Sequence, residues 1–300
     1  MKKKIKIVER GLRWQRRSPS AIRLHEIAHP IDKFLLDSLE TLHVNELLDM
    51  PIEQMVSAKY GLMLSTGIVL DQDNFPDLYH ILRDSAQRLG IKRPYTIITN
   101  ELPGINAFAT GTDDKPFIVI SNLAPRLLTQ EELRFIVAHE CGHIAMEHMA
   151  YHTAGALAAT AGGYIPLLGP VIANAAVFPL NCWNRCSEIS ADRIGLLCCG
   201  NLHTAQKALL KIISGATDIQ DVNVERYIAQ SRNLQNVQPL GKIGEFFQTH
   251  PMIYKRLKAL EYFSESELYY QAAEQAPPPN KELFSTEKLN EKVNDLLRIL

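Results

Sequence analysis

A chain of 300 residues has room for one elaborated domain or two small ones. Hydrophobic residues at 46% and charged residues at 22% fit a globular protein with a sizeable core and exclude general disorder. With 32 basic against 33 acidic residues the net charge is −1, which gives no basis for a dedicated nucleic-acid binder.

The averages conceal two local biases. Met1 to Arg17 holds eight Lys/Arg and only Glu9, so residues 1–20 form a basic arm and the rest of the chain is acidic. No apolar stretch follows Lys2, Lys3 and Lys4, so a secretory signal peptide is not expected. The arm reads as solvated, with contact to an anionic membrane surface as the sharper alternative. The second bias is a run of 37 residues, His148 to Asn184, without a charged side chain. Gly162-Gly163, Pro166 and Gly169-Pro170 divide its apolar part into pieces shorter than the roughly 20 residues a membrane crossing needs. The five cysteines, Cys141, Cys182, Cys186, Cys198 and Cys199, are too few and too clustered for a disulfide scaffold. They read as free thiols in a reducing, cytoplasmic setting.

In chain order, apolar residues at Ile31, Phe34, Leu35, Leu39 and Leu42 predict helix within an N-terminal region of residues 21–75. His25-Glu26-Ile27-Ala28-His29 matches H-E-x-x-H, but Pro30 turns His29 away from helical backbone, so the segment is assigned to structure. A helix is expected from about Pro76 to Leu89, closed by Gly90. Strands follow at Tyr95–Thr99, Ala107–Thr110 and Phe117–Ser121, with turn residues between them, and read as a small antiparallel sheet. Thr129-Gln130-Glu131-Glu132 is a capping box, predicting a long helix from Gln130 to beyond His148. Helices are expected again from Arg185 to Gly200 and from Thr204 to Ile213. Residues 277–300 comprise a proline linker and an amphipathic helix. The fold class that follows is α+β and mostly helical, with the small sheet packed on the helix from Gln130.

That helix carries His139-Glu140-Cys141-Gly142-His143, a second H-E-x-x-H. Residues i and i+4 lie roughly 40° apart around a helix, so both imidazoles point to one site, as a tetrahedral zinc requires. Glu140 on the flank of that face is placed to take a proton from an activated water. Forty-five residues after His143 stands Glu188, with Asp192 four further on. Glu188 suits a third ligand, and Asp192 suits the far nitrogen of a ligand histidine. On its own, an E-x-x-x-D is better read as a solvated helix face.

H-E-x-x-H followed by E-x-x-A-D resembles the gluzincin zinc metallopeptidases of the CAAX-prenyl-endopeptidase and HtpX type. Asn106-Ala107-Phe108-Ala109-Thr110-Gly111 resembles the family's substrate-pairing edge strand, and Thr249-His250-Pro251 with Arg256-Leu257 resembles its C-terminal motif. The likeness runs from about Pro76 to Tyr262 and is nearest to bacterial members lacking signal peptides. It implies a metallopeptidase domain over residues 76–265, with an apolar insert at 148–184. It implies one Zn2+ per chain on His139, His143 and Glu188, with Glu140 as general base. It also implies His250 as an oxyanion donor, Asp192 and Arg256 as supports, and Asn106, Ala107, Phe108 and Ala109 as the strand that holds an extended or unfolded polypeptide.

The insert separates His143 from Glu188, so any crossings must be even in number, and two need about 40 residues plus a turn. A helical hairpin beside the cleft is therefore expected, with peripheral membrane contact left open, as is the oligomeric state. Two other functions compete. Glu26-x-x-His29, Glu40-x-x-His43 and Glu140-x-x-His143 each match the E-x-x-H of di-iron bundles, although Pro30 interrupts the first pair. A catalytically silent binding or chaperone-like module is the other, against which the intact Glu140 counts.

Overall fold

The helix from Gln130 is helical because its first turn is closed from both sides. The Thr129 hydroxyl accepts the Glu132 N–H at 3.3 Å, and the Glu132 carboxylate accepts the Thr129 N–H at 2.8 Å. The same carboxylate meets the ammonium of buried Lys211 at 2.8 Å, so the cap is also a tertiary contact. In a computed structural model the chain is described over residues 23–41, 61, 64–111, 115–149, 151–152, 170–215, 219, 222–237 and 252–297.

In chain order the elements are α1 (Leu24–Ile27), α2 (Pro30–Thr41), β1 (Gly67–Val69), α3 (Pro76–Arg88), β2 (Tyr95–Thr99), β3 (Ala107–Gly111) and β4 (Pro116–Ser121). There follow α4 (Ala124–Leu127), α5 (Gln130–Ala145), α6 (Pro170–Cys199), α7 (Leu202–Ser214) and α8 (Val224–Val237). The chain closes with α9 (Ile253–Ser264), α10 (Glu267–Ala272) and α11 (Thr286–Leu297). The mostly helical class with a small sheet is as expected.

The sheet has the order β1-β2-β4-β3. Its outer pairings, β1 with β2 and β3 with β4, are antiparallel, whereas β2 and β4 run parallel with Tyr95 opposite Phe117 and Thr99 opposite Ser121. This corrects the purely antiparallel expectation. Chain direction does alternate from β2 to β3 to β4. But β4 inserts between its two predecessors and leaves β3 at the edge, so two strands of like direction become neighbours.

α5 is buried almost all round, as befits a helix at the centre of a domain. It packs on α3 and β3 on one side and on α6 and α7 on the other. Two glycines set its distance from α6. A Cβ on Gly142 would lie 3.2 Å from the Cβ of Ile194, and one on Gly195 would lie 2.8 Å from two ring carbons of Phe135. Without side chains at these points the helix axes approach closely enough for α6 to reach the histidines of α5. Beyond α6, buried Arg193 donates to the Ile27 carbonyl at 2.9 Å and to Asn290 Oδ1 at 3.1 Å. It thereby ties the N-terminal segment and the last helix to the core. Leu289 and Val293 are the fully buried positions of α11, as the amphipathic pattern of the tail requires.

α5 ends sooner than expected. Glu147 takes φ 61°, and its N–H bonds the Ile144 carbonyl at 3.1 Å while the His148 N–H bonds the His143 carbonyl at 3.0 Å. This is a Schellman C-terminus, built without the usual glycine. α6, in turn, begins at Pro170 rather than near Arg185. Among the described residues no helix is long and apolar enough to cross a membrane.

Candidate active site

His139 and His143, one turn apart on α5, bring their Nε2 atoms to 3.1 Å from each other. Glu188 of α6 faces both, with Oε2 3.5 Å from His139 Nε2 and Oε1 3.3 Å from His143 Nε2. The ligand atoms of the three lie within 4.8 Å of one another, so they can hold one metal ion. Asp192, one turn after Glu188, puts Oδ1 3.0 Å from His139 Nδ1. All four side chains are buried.

Arg256 of α9 completes the cluster. Its Nε and Nη2 donate to the two oxygens of Asp192 at 2.8 and 2.6 Å, and its Nη1 lies 3.0 Å from Glu188 Oε2. Burial alone would raise the Asp192 pKa, but the guanidinium and then His139 hold it below the ordinary range. Burial also opposes charge on His139, yet bonding to Asp192 and Glu188 lifts its pKa to about 10. His143, where desolvation dominates, falls to about 4. Two buried carboxylates against one guanidinium leave an excess of negative charge beside two imidazole nitrogens. That donor set fits a divalent cation.

Glu140 lies on the other side of the histidines. Its Oε2 accepts the N–H of Ala109 at 2.7 Å. Burial, its largest influence, raises the Glu140 pKa to about 7. Ala109 belongs to edge strand β3. The Asn106 carbonyl accepts from Ser121 N of β4, so alternation turns the polar groups of Ala107 and Ala109 outward, away from the sheet. A cleft of about 970 Å³ opens over the site. Its lining includes Asn106 to Ala109, His139, Glu140, His143, Glu188 and Arg256.

The structure therefore gathers His139, Glu140, His143, Glu188, Asp192, Arg256 and the Asn106–Ala109 strand around one cleft. His250 lies outside the described residues, as do residues 153–169 of the insert expected at 148–184. The other H-E-x-x-H is not a site: His25 is exposed, while His29 is fully buried and its two ring nitrogens find no hydrogen-bond partner among the described residues. Glu26 is exposed, which leaves the di-iron alternative without a first pair. Sequence reasoning missed several cleft residues: Met149, Ile212, Ile213, Tyr227 and Tyr254. For Tyr227 and Tyr254 no local pattern exists that would have marked them, because α8 and α9 reach the cleft only through tertiary packing.

A helix pair presenting two histidines, a glutamate and a flanking carboxylate beneath an edge strand defines the architecture of a metal-dependent peptidase. The chain belongs to peptidase family M48, whose profile matches residues 72–264. It is 29% identical over 255 residues to the plastoglobule-localized metallopeptidase 48, chloroplastic, of Arabidopsis thaliana; the match covers 80% of this chain and 73% of that one. A crystal structure of S. mikatae Ste24p is similar over 77% of this chain at 20% identity and a TM-score of 0.43. The chain spans 61% of that protein's length.

Proposed function

We propose that the protein is a zinc-dependent endopeptidase acting on extended or unfolded polypeptide. His139, His143 and Glu188 would hold a single Zn2+, which when bound supplies a Lewis acid and lowers the pKa of water toward ~7. Glu140 is the general base. A buried carboxylate on the flank of the histidines can take a proton from the attacking water and return it to the leaving amine. Asp192 fixes His139 with Nδ1 protonated and Nε2 free, and Arg256 keeps both carboxylates ionised and in place.

The outward N–H and C=O groups of Ala107, and the C=O of Ala109, offer a peptide backbone the free edge of β3. Main-chain pairing of this kind aligns a substrate without reading many of its side chains. The Glu140–Ala109 bond joins the base to that strand, so the bond to be cut and the proton acceptor share one frame. His250 stays in the proposal as the oxyanion donor. Peripheral membrane contact through the basic N-terminus and residues 148–184 also stays, with partition into vesicles of anionic lipid as its test.

The observation that carries this reading is the convergence of both Nε2 atoms on the Glu188 carboxylate, with Glu140 facing the edge strand. It is tested by elemental analysis and by cleavage of an unfolded protein, for wild type and Glu140→Gln. About one zinc per chain in both is expected, with cleavage by the wild type only. Two irons per chain, or undiminished cleavage by the variant, would overturn it.

A further inference from the structure

His143 has a second nitrogen, and its partner comes from an unexpected direction. The Schellman end of α5 brings the residue after the left-handed position back over His143, where an apolar contact usually forms. Here that residue is His148, and the two Nδ1 atoms lie 3.0 Å apart. His148 Nε2 in turn lies 3.3 Å from Oδ2 of Asp32. All three residues are at most 4% exposed, and the Trp183 indole stands perpendicular to the His148 ring with centroids 5.3 Å apart.

Asp32 stands in the first turn of α2, where the helix dipole favours a negative charge. The start of α2 is pinned to α6 by the bond from His29 N–H to Ser190 Oγ at 2.9 Å. Thus the His29-Pro30 bend, which removes the first H-E-x-x-H from metal binding, is what seats Asp32. The segment lies ahead of the family match, which begins at residue 72.

We propose that Asp32 and His148 are positioning residues for the metal: a relay that fixes the tautomer of His143 from the N-terminal segment. Proton placement follows from the donors available. A carboxylate can only accept, so with Asp32 Oδ2 3.3 Å away His148 is assigned its proton on Nε2, which leaves Nδ1 bare. His148 Nδ1 then accepts from His143 Nδ1–H, and His143 keeps Nε2 free for the ion. Each ligand histidine is thereby backed by a buried carboxylate, His139 directly by Asp192 and His143 through His148 by Asp32.

A competing use of the same groups is a second ion among His143, His148 and His152, whose ligand atoms also lie within 4.8 Å. It would take the His143 Nδ1 lone pair and abolish the relay.

The relay rests on the metal-site reading above, and the experiment separates the two. Zinc dissociation constants are measured by chelator competition for wild type, Asp32→Ala, His148→Phe and the double variant, with near-ultraviolet circular dichroism as the folding check. Each single variant is expected to bind zinc about 10–100-fold more weakly. The double variant should be no weaker than His148→Phe, because Asp32 acts only through His148. Unchanged affinity in Asp32→Ala, losses that multiply in the double variant, or two ions per wild-type chain would each overturn the relay. A wild type that binds no metal would instead defeat the metal-site reading. Should Asp32→Ala fail to fold, long-range 1H–15N spectra of the zinc-loaded wild type decide: His148 protonated on Nε2 supports the relay, and on Nδ1 overturns it.

Discussion

Gly195 sits so close to Phe135 that a β-carbon on it would lie 2.8 Å from two carbons of the ring and 3.0 Å from the Phe135 carbonyl oxygen. The ring is fully buried and the oxygen belongs to α5, so neither can yield without moving the helix. Gly195→Ala should therefore force α5 and α6 apart, at a cost of about 1–3 kcal/mol. The same displacement draws Glu188 and Asp192 away from His139 and His143. Urea unfolding checks the first effect and zinc affinity the second; a variant as stable as wild type would show that the helices accommodate the methyl group elsewhere.

Arg256 pairs with both Glu188 and Asp192. Removing it leaves two buried carboxylates facing each other. Arg256→Met should cost the metal-free protein about 3–5 kcal/mol, the usual price of stranding a buried charge. Lysine cannot reproduce the paired bonds to Asp192, so Arg256→Lys should recover only part of that loss. Denaturant unfolding of the three metal-free proteins measures both, and a loss below about 1 kcal/mol for Arg256→Met would contradict the ledger of charges.

Much of this arrangement was legible because its signals are local. The capping box at Thr129 and Glu132 marks the start of α5, and the short apolar strands at 95–99 and 117–121 fall where the structure has them. The spacing of His139, His143, Glu188 and Asp192 needed only two helices to bring them together. What escaped is non-local or lacks a compositional mark. The parallel pairing of β2 with β4 depends on where β4 inserts, which no turn sequence encodes. The charge-free residues before Arg185 carry no cap to show that α6 begins at Pro170. The end of α5 was misplaced because its left-handed residue is Glu147, not glycine. A helix continued straight through His148 gives no hint that this histidine turns back onto His143 and meets Asp32.

The same residue supplies a third prediction. A side chain at φ 61° costs roughly 1–2 kcal/mol relative to glycine, which occupies that region freely. Glycine's greater freedom in the unfolded chain offsets part of the gain. Glu147→Gly should thus raise stability by a few tenths to about 1 kcal/mol, while the bonds to Ile144 and His143 stay in place. Thermal unfolding reads the gain directly. A clear loss of stability would mean that the Glu147 side chain contributes more than the backbone relief.

The last prediction concerns acid. Burial, and after it the charge of Arg193, lowers the His29 pKa to about 3, against the opposing pull of Asp32. The unfolded chain titrates this group near 6.5, so below that pH the unfolded state binds a proton that the folded state refuses. The stabilisation from a neutral His29 is complete above about 6.5 and drains away as the pH falls toward 3. Its slope approaches about 1.4 kcal/mol per pH unit. His29→Leu removes the titrating group and should flatten the decline by about one proton, whatever it does to stability at neutral pH. Urea unfolding of both proteins at pH 7.5, 6.5, 5.5 and 4.5, with metal present in both, isolates the difference. Parallel curves through that window would mean that His29 is protonated as easily in the folded protein as in the unfolded chain.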